Sequence, residues 1–153
     1  QVFEKGLKLI TYEHQRQLPF IKTIDYLIAI YLQPTIKAAG ADDVVYYFNG
    51  MVTECPRANF FMVTDQGEVL TPKENILHGV TRKHLLKLKG YIIREANINI
   101  EMLASAKEAF ISSSTKNILP VISIDGHTIG DGKPGSITRN LYQQLIHLKG
   151  ISF

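Results

Sequence analysis

Four groups of side chains in this sequence have types and spacings that could do chemistry. Lys22 stands in Leu18-Pro19-Phe20-Ile21-Lys22-Thr23-Ile24, an apolar run. Burial disfavours an ammonium, so a partly desolvated lysine has a lowered pKa and turns nucleophilic toward an aldehyde. The competing reading is a snorkelling lysine with its head in water. Glu54 ends the largely apolar run Met51-Val52-Thr53-Glu54. A carboxylate carried into a core needs a cationic or protonated partner, because an unpaired buried charge is very costly. The alternative is a strand-end glutamate facing solvent.

Leu77-His78-Gly79-Val80-Thr81-Arg82 puts a glycine and a threonine at the start of an expected helix. Free backbone N–H groups at such a start suit a phosphate, and so does a threonine hydroxyl; a plain N-cap at Thr81 would look the same. Ser112-Ser113-Ser114-Thr115 follows the strand-like Ala109-Phe110-Ile111. Its hydroxyls suit phosphate or carboxylate oxygens, or equally a solvated loop. The five histidines have no metal-ligand spacing, so no metal is expected. No glycine-rich phosphate loop or dinucleotide fingerprint occurs. Nothing beyond its type marks Cys55 as a nucleophile. The aromatic residues Tyr46, Tyr47, Phe48, Phe60 and Phe61 read as core.

The elements that must position these groups follow from local pattern. Residues 2–11 read as a strand with a bulge at Gly6, and 11–19 as a polar loop. Apolar residues recur at helical spacing over 24–39, with Pro34 expected to kink or divide the helix and Gly40 to close it. Asn49-Gly50 between two β-rich runs predicts a hairpin over 44–54, and Asp65-Gln66-Gly67 a second over 59–71. A helix over 81–89, a strand over 91–96 and a short helix over 100–106 follow. Strands over 107–112 and 120–124, the turn Asp125-Gly126 and a last helix over 137–148 complete the chain. Helices interleave with hairpins, so the expected fold is a mixed α/β (α+β) one: a mixed sheet or barrel-like core with helices around it.

The 153 residues suit one domain, with 45% hydrophobic and 20% charged residues. A net charge of +3, with basic residues scattered, argues against a nucleic-acid partner. One cysteine excludes an intrachain disulfide and fits a reducing, cytoplasmic setting. No apolar stretch approaches a membrane span. The start at Gln1-Val2-Phe3-Glu4 suggests a chain cut from something longer.

The order of these segments resembles the class IV aminotransferases of fold type IV. That family includes branched-chain and D-amino-acid aminotransferases and aminodeoxychorismate lyase. The resemblance runs from about Arg16 onward. It is carried by Pro19-Phe20-Ile21-Lys22-Thr23, by Val52-Thr53-Glu54 with Asn59-Phe60-Phe61, and by Leu70-Thr71-Pro72. Ile76-Leu77-His78-Gly79-Val80-Thr81-Arg82, and Glu108 to Thr115 with Pro120-Val121, carry the rest.

This resemblance implies a pyridoxal 5'-phosphate enzyme, the 153 residues forming its large C-terminal cofactor-bearing domain. It implies Lys22 as the Schiff-base lysine and proton shuttle, and Glu54 as partner of the protonated pyridine nitrogen. Leu77 would pack on the ring; Val80, Thr81 and Ser114 would bind the phosphate, and Gly79 and Ser113 would also belong to the cofactor site. Ser114 and Thr115 would border the substrate. The substrates implied are an amino acid and a 2-oxo acid. Ser113-Ser114-Thr115 resembles the D-amino-acid branch more than the branched-chain one, and the lyase branch shares Lys22 and Glu54. The family's smaller N-terminal domain lies outside these residues, so the chain alone should be weakly active or inactive. A cofactor-binding fragment without catalysis is the reading of another class. An apolar interdomain face and a homodimer are also expected.

Overall fold

The computed structural model describes residues 2–150, and in it Asn49 and Gly50 both take positive φ, 51° and 76°. Those angles give the tight turn whose twist suits a two-residue hairpin, so the chain reverses there as predicted. The first elements are α1 (Val2–Lys5), β1 (Leu7–Glu13), α2 (Leu27–Tyr31), α3 (Gln33–Ala38), β2 (Asp43–Phe48) and β3 (Met51–Val52). Then come β4 (Glu54–Cys55), β5 (Ala58–Val63), β6 (Val69–Thr71), α4 (Val80–Leu85) and β7 (Ile93–Glu95). A 3₁₀ turn at Ile100–Ser105 leads to β8 (Glu108–Ser113), β9 (Asn117–Ile124), β10 (His127–Thr128) and α5 (Ser136–Leu148).

The strands form one mixed sheet in the order β3-β2-β1-β9-β8-β5-β6-β7. β1 runs parallel to both β2 and β9, whereas β5, β8 and β9 pair antiparallel in turn. The sheet curls because residues 51–55 bridge it. β3 pairs with β2, the Thr53 N–H donates to the Tyr46 carbonyl at 2.9 Å, and β4 pairs with β5. Since β1, β9 and β8 lie between β2 and β5 along the sheet, this bridge gives the barrel-like core that the sequence predicts.

Alternation along β5 sorts its side chains between two cores. Phe60 and Met62 join Leu9, Val45, Ile111 and Val121 in one. Phe61 and Val63 join Phe110 and Ile118 in the other, under Leu85 of α4 and Leu141 and Leu145 of α5. Phe61 and Phe110 stack with ring centroids 4.7 Å apart. A smaller cluster seats Leu32 and Ile36 on Val44 and Tyr46.

The other end of that second core is fixed by a cap. Glu108 accepts from the Ile137 and Thr138 N–H groups at 3.1 and 2.8 Å and from the Thr138 hydroxyl at 2.7 Å. These are donors that a helix start leaves unpaired. Gly135 is required by proximity, since a Cβ there would fall 1.9 Å from Glu108 Cδ. Glu108→Ala is expected to cost about 1–2 kcal/mol, read as a lower urea midpoint with unchanged slope. An unchanged midpoint would mean that water caps α5 equally well.

Several boundaries differ from the sequence reading. Residues 2–5 form a helical turn instead of a strand, because Gly6 takes φ +70° and folds them back. Phe3 packs on the Tyr142 ring at 4.7 Å, and Arg139 donates to Glu4 at 2.9 Å, holding that turn against α5. β1 extends to Glu13, through its pairing with Tyr47, into what reads as loop. The helix expected over 24–39 begins only at Leu27, whose N–H donates to Asp25 Oδ1 at 3.1 Å. It divides at Leu32, leaving Pro34 in the first turn of α3, where its missing N–H costs nothing. α4 ends at Leu85, short of the expected 89. Among the described residues no helix is long and apolar enough to cross a membrane.

Candidate active site

One cleft of about 370 Å³ gathers every residue singled out by type and spacing. Lys22 comes from the irregular run between β1 and α2, and Glu54 from the short β4. Leu77 and Gly79 lie on the loop before α4; Val80 and Thr81 open that helix. Ser113 ends β8, and Ser114 and Thr115 form the turn into β9.

Glu54 is 4% exposed, so the carboxylate has entered the core. Its cationic partner is Arg16, whose Nε donates to Oε2 at 2.8 Å. The Leu77 N–H donates to Oε1 at 2.9 Å. Burial raises the carboxyl above its usual range, while Arg16 and the Leu77 N–H pull it back down. A carboxylate has about four acceptor positions, so these two bonds leave capacity for a further donor. Arg16 also donates to the Pro19 carbonyl at 2.7 Å, tying the lysine segment to the carboxylate.

The apolar wrapping expected around Lys22 is not found. Lys22 is exposed, and Phe20, Ile21 and Ile24 are 64%, 53% and 94% exposed. The run from His14 to Tyr26 is neither helix nor strand, so no pattern turns those side chains inward. Desolvation of Lys22 therefore requires a covering surface from elsewhere. Leu27, Ile30 and Tyr31 are exposed as well, extending this apolar band along the chain.

Elsewhere in the cleft lining, Thr81 is 2% exposed and no side chain caps α4. Six residues make a weak dipole, so an anion here would rely on the free N–H groups and hydroxyls. Ser112 is also buried, and its Oγ has no hydrogen-bond partner. Arg57, exposed on the β4–β5 turn, lies over the Tyr26 ring at 4.3 Å. Cys55 is fully buried, and burial pushes its thiol well above the ordinary range, which closes thiolate chemistry to it. Among the described residues no group of three His, Cys, Asp or Glu side chains can hold a metal ion.

The profile of the family described as amino-transferase class IV matches residues 4–124. The chain belongs to the class IV aminotransferase family. Among class IV relatives, the D-alanine aminotransferase of Bacillus licheniformis is 33% identical over 93% of this chain and 52% of its own length. A branched-chain-amino-acid aminotransferase-like protein of Arabidopsis thaliana is 35% identical over 72% of this chain and 21% of its own. The branched-chain amino acid aminotransferase of Escherichia coli superposes with TM-score 0.84 and 28% identity, over 97% of this chain and 53% of that one. A T.th. branched-chain amino acid aminotransferase, solved with pyridoxamine 5'-phosphate, superposes with TM-score 0.84 and 25% identity, over 95% and 51%. The chain spans about half the length of the curated relatives it matches.

Within this class IV site, sequence reasoning missed Arg16, and gave no role of its own to Asn59 or to Ser112 within its hydroxyl run. Arg16 sits in polar, irregular chain and meets Glu54 only in the fold, 38 residues on. Asn59 belongs to the family motif, but its type assigns it no role. Ser112 differs from its neighbours in being buried with its hydroxyl unpaired, which only the packing reveals.

Proposed function

We propose that this chain is the cofactor-bearing half of a pyridoxal phosphate-dependent aminotransferase. It would move an amino group between an amino acid and a 2-oxo acid. The carrying observation is the convergence of Lys22, Glu54, Thr81 and Ser113 to Thr115 on one cleft. The residues fit the cofactor: Glu54 accepts only two hydrogen bonds beside the cleft, Ser112 keeps an unpaired hydroxyl, and no side chain caps the start of α4.

Pyridoxal phosphate, when bound, supplies the electron sink that lets a substrate Cα–H bond break. Lys22 would hold it covalently, and its free amine would serve as the base that moves the Cα proton. Glu54, whose ionised form Arg16 and the Leu77 N–H favour against burial, would partner the protonated pyridine nitrogen. Val80, Thr81, Ser113 and Ser114 would hold the phosphate beside Gly79, and Leu77 would pack on the ring. Ser114 and Thr115 border the substrate. The D-amino-acid branch is favoured by the D-alanine aminotransferases, matched over 93% of the chain in the first of them. Its alternative, a branched-chain substrate, is favoured by the Arabidopsis thaliana relative.

The band Phe20, Ile21, Ile24, Leu27 supports a second part of the reading. A smaller N-terminal domain, or a second copy in a homodimer, covers it and keeps water from Lys22. The chain by itself is then weakly active or inactive. Adding pyridoxal phosphate to the purified chain, followed by borohydride, tests the core of the proposal. A visible absorbance band that borohydride removes, leaving the label on the Lys22 peptide, is expected. Label spread over other lysines would overturn it.

A further inference from the structure

Asn59 is 6% exposed and lies on β5 opposite Glu54 in one register and opposite Ser112 in the other. Residues directly opposed on antiparallel strands share a face. Glu54, Asn59 and Ser112 therefore make a polar row across three neighbouring strands in the wall of the cleft. Burial of such groups is costly without hydrogen bonds; Glu54 and Asn59 have theirs, and the Ser112 hydroxyl has none.

The Asn59 carboxamide makes both of its bonds to one loop. Nδ2 donates to the Leu77 carbonyl at 2.7 Å, and Oδ1 accepts from the Gly79 N–H at 3.2 Å. The Leu77 N–H goes to Glu54 instead, at 2.9 Å. Two side chains that face each other across β4 and β5 thus hold three backbone groups of the turn into α4. Only a carboxamide offers a donor and an acceptor from one short planar group; an ionised aspartate would accept alone. Gly79 adds a second observation. Its φ of −65° and ψ of 153° suit any residue, yet a Cβ there would lie 2.6 Å from Asn59 Oδ1. This position excludes a side chain because the amide oxygen occupies the space.

We infer that Asn59 is a positioning residue that sets the separation between the two receptors of one ligand. Glu54 receives the ring nitrogen, and Val80 and Thr81 receive the phosphate; Asn59 locks the second receptor onto the strand beside the first. The inference rests on the pyridoxal phosphate reading of the cleft. Its consequence is specific: loss of Asn59 penalises a ligand that must reach both receptors and spares one that uses only the ring end.

Titrating Asn59→Asp with pyridoxal phosphate and with pyridoxal tests this. Affinity for the phosphorylated ligand is expected to fall about tenfold, with that for pyridoxal little changed. Val63→Ala, on the same strand but in the other core, should lower Tm without altering the ratio of the two affinities. Proportional losses for both ligands in Asn59→Asp, or no loss for either, would overturn the inference. If Asn59→Asp does not fold, Gly79→Ala should give the same selective loss, because its Cβ must displace the amide oxygen. Hydrogen exchange at the Gly79 amide in the wild-type chain is independent of any cofactor. Slow exchange is expected, and exchange as fast as in an open loop would sink the clamp. If neither ligand binds the wild-type chain, the cofactor reading fails, and the exchange measurement still decides whether Asn59 holds the loop.

Discussion

Lys22→Ala is expected to lower the transamination rate by a factor of about 10³ or more, while phosphate binding elsewhere in the cleft persists. The argument is one of roles. Among the described residues no other lysine lines the cleft, so no other amine stands ready to anchor an aldehyde or to carry the α-proton. The proposed phosphate ligands lie instead on α4 and the β8–β9 turn, away in sequence from the lysine segment. Added methylamine should recover part of the activity, since a small amine can act as base in the space the side chain vacates. The measurement is turnover of the full-length polypeptide with and without methylamine, beside a pyridoxal phosphate titration. Near-wild-type turnover would remove Lys22 from the mechanism. Loss of turnover that methylamine does not restore, together with a lowered Tm, would make it a structural residue.

Arg16→Ala is expected to destabilise the fold by about 2–3 kcal/mol near neutral pH, and by less in acid. Removing Arg16 leaves Glu54, 4% exposed, with one hydrogen bond from Leu77 and no compensating charge. Burial already lifts this carboxyl above its usual value, so the folded chain holds its proton more tightly than the unfolded chain. Stability from such a group is greatest below the ordinary carboxylate pKa and is lost as pH rises through the raised folded value. Arg16 opposes that loss by favouring the ionised form. Without it the window of loss extends upward, so variant and wild type diverge toward neutrality and converge in acid. Urea unfolding at about pH 5 and about pH 7 checks the difference; a cost independent of pH would assign it to lost packing of the arginine stem. Arg16→Met, which keeps most of the stem, should retain the pH-dependent part.

What could be read from the sequence divides along physical lines. Asn49-Gly50 and Asp65-Gln66-Gly67 announce their hairpins because turn geometry is decided within a few residues. Glu54 and the turn before α4 are recognisable because motif spacing survives in the fold as cleft geometry. The helical turn at Val2–Lys5 is not legible, since it depends on Gly6 reversing the chain and on Phe3 finding Tyr142 far along the sequence. Lys22 misleads for the opposite reason. Apolar neighbours suggest burial, but burial needs an opposing surface, and here Phe20, Ile21 and Ile24 face outward. Arg16 escapes notice because an ion pair closed across 38 residues has no local signature.

The placement of β1 has a consequence for how the molecule is made. Its register joins Leu7 to Val121 and Leu9 to Asp43, so an early strand lies between two that are synthesised later. The hairpins β2–β3, β5–β6 and β8–β9 are local and can close as soon as they leave the ribosome. The parallel ladder on β1 must instead wait for β9, and the entropy of that long loop is paid before its contacts form. Until then the nascent chain displays Leu9 and its neighbours on an unpaired edge, the state most open to association with other unfinished chains.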